Sequence, residues 1–192
     1  KRIGVIGNGS TGVQIISALA GRAQLLEHYV RTPQWIMPVD NTPYSVEQRE
    51  AFRSDPAALQ AAMKIEEFLA NVNSYTQVIT REDMEAAVFW QASCLQNLEQ
   101  GVADPVLREK LRPDHEPLCK RLIFSPDYYQ AIQHPRAALI TGKIARIEPA
   151  GIRTGDGVLH ELDIIVFATG FKSDQFMRPM QISGQHGITL ED

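Results

Sequence analysis

The chain has 192 residues, 44% of them hydrophobic, and a formal net charge of -4. That length buries one sizeable core without staples or metals, and the acidic balance argues against a nucleic-acid surface, which needs a positive field to displace counterions from phosphates. Cys94 and Cys119 make neither a disulfide framework nor a Cys-x-x-Cys site, and no apolar run reaches the ~18 residues of a membrane span, so a soluble, cytoplasmic protein without membrane contact is expected.

The chain opens directly on strand residues without a Met and ends at Leu190-Glu191-Asp192 without a closing element, which reads as a fragment of a longer polypeptide. Arg2 to Ile6 is an apolar run halted by Gly7; Val13, Ile16 and Ala20 then recur at helical spacing, and Leu25 to Val30 reads as a second strand. This is a β-loop-α-β unit, closed by Pro33. From about Ser45 to Arg112 the residues turn to Glu, Gln, Ala and Met at helical spacing, which predicts a helical insertion over 45–112. Pro113 and Pro117 then forbid a continuous helix. A short helix around Asp127 to Gln133 and a strand at Ala137 to Ile140 follow. Ile144 to Glu148, Ile152 to Thr154 and Val158 to Glu161 predict an antiparallel meander turning at Asp156-Gly157. The apolar run Asp163 to Phe167 predicts a strand buried on both faces of a mainly parallel sheet. The fold class is therefore α/β: a Rossmann-like three-layer nucleotide-binding domain over 1–44 and 113–171, with the helical insertion and a small meander.

The chemistry-bearing motif is Gly7-Asn8-Gly9-Ser10-Thr11-Gly12, between a strand and a helix. Gly7 permits the tight turn, Gly9 lets the backbone approach a pyrophosphate, and Gly12 allows close helix-strand packing, while the helix N-terminus presents N-H groups to the anion. Ser10 and Thr11 are candidate hydroxyl donors, and Gln14 on the first turn is a weaker candidate. At the end of the second strand, where an NAD site places an acid, stand Arg31 and Thr32; a forked guanidinium suits a 2′-phosphate, so NADP(H) is the expected coenzyme. Trp35 is expected to cap the core rather than stack on adenine.

Gly7-x-Gly9-x-x-Gly12, Arg31-Thr32-Pro33-Gln34, Cys119-Lys120-Arg121 followed by Asp127-Tyr128-Tyr129, and Phe167-Ala168-Thr169-Gly170-Phe171 together resemble the Baeyer-Villiger monooxygenases, in order and spacing, from Lys1 to Phe171. The resemblance implies a flavoprotein that oxidises ketones to esters or lactones with NADPH, FAD and O2. It implies that Arg31, Thr32 and Lys120 contact the 2′-phosphate, and that Arg121 is catalytic, stabilising negatively charged oxygen intermediates beside the flavin and nicotinamide. Ala168, Thr169 and Gly170 match the family's Ala-Thr-Gly motif, leading into a segment, 172–192, expected to return toward an FAD domain. A second Gly-x-Gly-x-x-Gly, for FAD, and the family's Phe-x-Gly-x-x-x-His-x-x-x-Trp motif are not in this sequence, so the piece is expected to bind NADP(H) without oxygenating alone. An N- or S-oxygenating flavin monooxygenase and a nucleotide-sensing module without redox chemistry are the alternatives.

Overall fold

A computed structural model describes residues 1–172, 180 and 182–189. Within the expected return segment, residues 173–179, 181 and 190–192 lie outside the described residues. The first unit is β1 (Arg2–Ile6), α1 (Ser10–Leu19) and β2 (Leu25–Tyr29). A two-residue strand, β3 (Ile36–Met37), precedes five helices: α2 (Val46–Ser54), α3 (Pro56–Ala62), α4 (Ile65–Ile79), α5 (Met84–Gly101) and α6 (Pro105–Leu111). Then come β4 (Ile123–Phe124), α7 (Tyr128–Ile132) and β5 (Ala137–Ile140). The meander is β6 (Ile144–Glu148), β7 (Gly151–Thr154) and β8 (Leu159–Glu161), and β9 (Ile164–Phe167) completes the main sheet.

That sheet is parallel in the order β5-β2-β1-β9. Because side chains alternate between the faces of a strand, its two faces carry different cores. Ile3, Val5 and Leu26 pack with Val13 and Ile16 of α1 and with Tyr128 and Ile132 of α7. On the other face Tyr29 meets Ile152 and Leu162 of the meander segment, flanked by Ile6, Ile140 and Ile165. The result is three layers, helices over parallel sheet over meander. A polar chain fastens the lower layer: the Tyr29 hydroxyl donates to Glu27 Oε2 at 2.7 Å, and Glu27 Oε1 lies 3.0 Å from His160 Nδ1 on β8. Buried polar groups partnered in this way specify register, since a slip would strand them.

β9 corrects one expectation. It is an edge strand among the described residues, pairing only with β1, and its ends Ile164 and Phe167 are 42% and 64% exposed. Its apolar run matches a fully buried parallel strand in composition, but burial depends on layers packed over both faces of the strand, which composition does not specify.

The helical insertion is started by side-chain caps. Ser45 and Gln48 form a reciprocal capping box on α2, while Asp55 and Asp104, each followed by proline, cap α3 and α6. Asp83 caps α5 through the Ala86 N-H. A separate core of Trp35, Val78, Trp90, Cys94, Leu118 and Leu122 holds this part together. Burial pushes the Cys94 thiol up to about 12, so it behaves as an apolar filler. β3 and β4, pairing in parallel, tie the chain entering the insertion to the chain leaving it. Sequence reading missed this ladder, because two-residue strands carry no periodicity.

Candidate functional site

At the C-terminal edge of the parallel sheet three backbone bonds hold the strand ends level: Gly7 N-H to Tyr29 O at 3.1 Å, Val30 N-H to Ile140 O at 2.9 Å and Ala168 N-H to Ile6 O at 2.8 Å. Above them lies a cleft of about 780 Å³, within the usual range for cofactor sites. Each strand contributes its following loop: Gly7 to Gly9 after β1, Arg31 and Thr32 after β2, Thr141 to Lys143 after β5, and Ala168 to Gly170 after β9. Lys120 closes one side.

The glycines are placed as the motif demands. Gly7 has φ +102°, and a Cβ there would sit 2.4 Å from the Ala168 carbonyl oxygen. A Cβ on Gly12 would lie 2.0 Å from the Gly7 carbonyl oxygen, so only hydrogen fits where α1 crosses its own loop. At Gly9 a Cβ would meet nothing within 4 Å: the space above it is open on the cleft side. The N-cap of α1, Gly9, provides no side-chain cap, unlike those of α2, α3, α5 and α6, and the first turn of α1 has no acidic residue. Its N-terminal donors and dipole are left to an anion. These features fit a dinucleotide pyrophosphate.

A buried imidazole supports the loop from below. His28 Nε2 lies 3.0 Å from Gly7 O and Nδ1 lies 3.1 Å from the Tyr128 hydroxyl. A carbonyl only accepts, so Nε2 carries the proton and Nδ1 accepts from Tyr128. Burial pulls the His28 pKa down to about 4, offset in part by the Gly7 bond. Asn8 donates from Nδ2 to Thr32 O at 2.9 Å, linking the glycine loop to the Arg31-Thr32 turn.

Lys120 reaches the cleft because its neighbours are anchored. Leu118 and Leu122 are buried in the insertion core, the Leu122 N-H donates to the Tyr75 hydroxyl at 3.4 Å, and Trp35 Nε1-H donates to His115 O at 2.8 Å. Trp35 is thus a core residue, as expected from sequence. Leu118 adopts φ +64°, a conformation that costs a non-glycine residue roughly 1 kcal/mol and persists only where surroundings enforce it. The His115 ring nitrogens are buried without a hydrogen-bond partner; burial first, then the Lys120 ammonium, lowers its pKa.

Of the sequence candidates, Gly7, Gly9, Arg31, Thr32, Lys120, Ala168, Thr169 and Gly170 share the cleft wall. Gly12 is buried behind it, and Ser10 and Thr11 lie on the first turn of α1 outside the lining. Gln14 faces a different, smaller cleft, with Ser17, Asn41 and Asp127. Arg121 is exposed and does not line the main cleft. Lys143 lines it and was missed from sequence, because nothing local to Thr141-Gly142-Lys143 distinguishes it from a surface turn. Among the described residues no group of His, Cys, Asp or Glu could hold a metal, and no helix is long and apolar enough to cross a membrane.

A parallel α/β sheet with a glycine loop opening its first helix, and a cleft across its strand ends, defines a dinucleotide-binding fold of the Rossmann type. No family model matches the chain. Over its whole length it is nonetheless similar to part of several curated monooxygenases. It is 42% identical over 192 residues to an uncharacterized monooxygenase of Mycobacterium tuberculosis, covering 100% of this chain and 38% of that protein. It is 28% identical over 192 residues to a Baeyer-Villiger monooxygenase of Streptomyces coelicolor, covering 100% of this chain and 36% of the relative. Among solved structures, a cyclohexanone monooxygenase mutant from Rhodococcus sp. Phi1 bound to NADP+ superposes with a TM-score of 0.77 at 30% identity, covering 100% of this chain and 43% of that one. The chain therefore spans well under half the length of these relatives.

Proposed function

We propose that this chain is the NADP(H)-binding part of a flavin-dependent monooxygenase of the Baeyer-Villiger type, which uses NADPH, FAD and O2 to convert a ketone to an ester or lactone. The observation that carries the reading is the cleft itself: a glycine loop with open space above Gly9, flanked by Arg31 and Lys120. Related structures have FAD and NADP, cyclohexanone, or ε-caprolactone bound, which supports the cofactor pair and a small ketone as substrate. In this reading residues 1–44 and 113–171 form the nucleotide domain, 45–112 the helical insertion and 172–192 the return toward a flavin domain.

NADPH, when bound, supplies a hydride to the flavin. The α1 N-terminus and the Gly7 to Gly12 loop would hold its pyrophosphate, with Ser10 and Thr11 as neighbouring polar groups, while Gln14, on the smaller cleft, would stand apart from it. Arg31, Thr32 and Lys120 would hold the 2′-phosphate, the two cations by charge-assisted hydrogen bonds that an NADH ribose cannot satisfy. Ala168, Thr169 and Gly170 bound the end of the cleft beside β9. Arg121, next to Lys120 but outside the cleft, would be the catalytic cation, its permanent charge stabilising negative charge that develops on oxygen when the flavin is bound.

Titration of the protein with NADPH and NADH tests the coenzyme assignment. NADPH is expected to bind at least tenfold more tightly, and Arg31→Ala to lose most of that margin. Equal wild-type affinities, or an unchanged margin in Arg31→Ala, contradict it. In the full-length enzyme Arg121→Ala is expected to keep NADPH-driven flavin reduction and to lose ester formation; retained turnover removes the residue from the chemistry.

A further inference from the structure

We propose that Lys143, on the loop after β5, is a third cation for the 2′-phosphate, so that coenzyme choice is shared between the loops after β2 and β5. The inference rests on the NADP(H) reading of the cleft. Tyr29 and Ile140 are register partners in adjacent parallel strands, so the chain leaves the sheet side by side at Val30 and Thr141, with strands about 4.8 Å apart. Arg31 and Lys143 therefore stand on neighbouring loops, and both line the cleft. This is the end of the cleft away from β9, where the order β5-β2-β1-β9 places the adenosine side of a dinucleotide whose pyrophosphate sits over β1 and α1.

The Lys143 backbone is fixed, since its carbonyl accepts from the Gly155 N-H at 2.7 Å and the loop is tied to β2 through Val30 N-H to Ile140 O at 2.9 Å. Its charge is uncommitted. Among the described residues no carboxylate lies within salt-bridge distance of Lys143, Arg31 or Lys120, whereas Arg2, Arg146 and Arg153 are all paired with acids. The nearby acids of the meander have other partners. Glu148 accepts from Arg146 and Arg153, and Asp156 accepts from the Thr154 hydroxyl and the Val158 N-H. In a chain of net charge -4, three unpaired cations around one cleft create a local positive field suited to a dianionic phosphate.

The test is equilibrium titration of wild type, Lys143→Ala, Lys143→Arg and Arg31→Ala with NADP+, NAD+ and adenosine 2′,5′-bisphosphate, with thermal melting as the control for folding. Lys143→Ala is expected to weaken NADP+ and the bisphosphate about tenfold, leave NAD+ unchanged and melt with wild type, while Lys143→Arg restores binding. No change for NADP+, or an equal loss for NADP+ and NAD+, overturns the assignment, since the second result would place Lys143 on the pyrophosphate. A wild type that fails to prefer NADP+ overturns the coenzyme reading beneath it, a result separable from failure at Lys143 alone.

Discussion

Gly12→Ala is expected to destabilise the protein by about 3 kcal/mol and to lower its melting temperature by on the order of 10 °C, with nucleotide binding lost as well. The new methyl would stand 2.0 Å from the Gly7 carbonyl oxygen, and that oxygen cannot retreat freely because it is also held by His28 Nε2 at 3.0 Å. Relief requires α1 to lift from β1, which opens the core around Val13 and Ile16. Gly9→Ala is the informative partner. Gly9 has φ -67° and ψ -176°, extended backbone that alanine adopts, and its Cβ meets nothing within 4 Å. Its stability should change by less than about 1 kcal/mol, yet the methyl would occupy the approach to the pyrophosphate and NADPH affinity should fall at least tenfold. Melting curves and titrations of both variants check this pair. A Gly12→Ala protein that melts with wild type, or a Gly9→Ala protein that binds normally, removes the steric argument at that position.

Acidification from pH 6.5 to 4 is expected to cost roughly 3 kcal/mol of stability through His28 alone. The imidazole is fully buried, and its pKa falls from 6.5 to about 4 on folding. In that window the unfolded chain binds a proton and the folded one does not, so stability rises with pH up to about 6.5 and is progressively lost below it. The loss also bears on the site, because His28 Nε2 supports the Gly7 carbonyl beneath the glycine loop. Denaturant unfolding of wild type and His28→Gln between pH 4 and 7 measures the effect. The variant is expected to be less stable at pH 7 but to show a flatter dependence on pH; parallel curves would show that other groups carry the acid sensitivity. Glu148 adds a dependence at lower pH. Its hydrogen bonds to Arg153 and Arg146 hold the carboxyl at about 2, so its contribution, full above the unfolded value of 4.5, declines as pH falls toward 2.

The sequence by itself determined the local units of this protein. Arg2 to Leu25, with its glycine loop, specifies strand, turn and helix through short-range periodicity and the positive φ that only Gly7 supplies cheaply. Asp55-Pro56 and Asp104-Pro105 mark helix starts by cap chemistry contained in two residues, and Asp156-Gly157 marks the hairpin in the same way. Tertiary structure alone decided the rest. It made the apolar run at Ile164 an edge strand, placed Gln14 over a second cleft, and left Arg121 outside the main cleft while Lys120 lines it. It also brought Lys143 and Arg31, on the loops after β5 and β2, to one cleft. The reason is physical: strand neighbours and loop proximity are chosen by burial and long-range closure, whose free energy depends on distant segments. No window around Lys143 or Ile164 contains that information, whereas the window around Gly7 contains nearly all of its own.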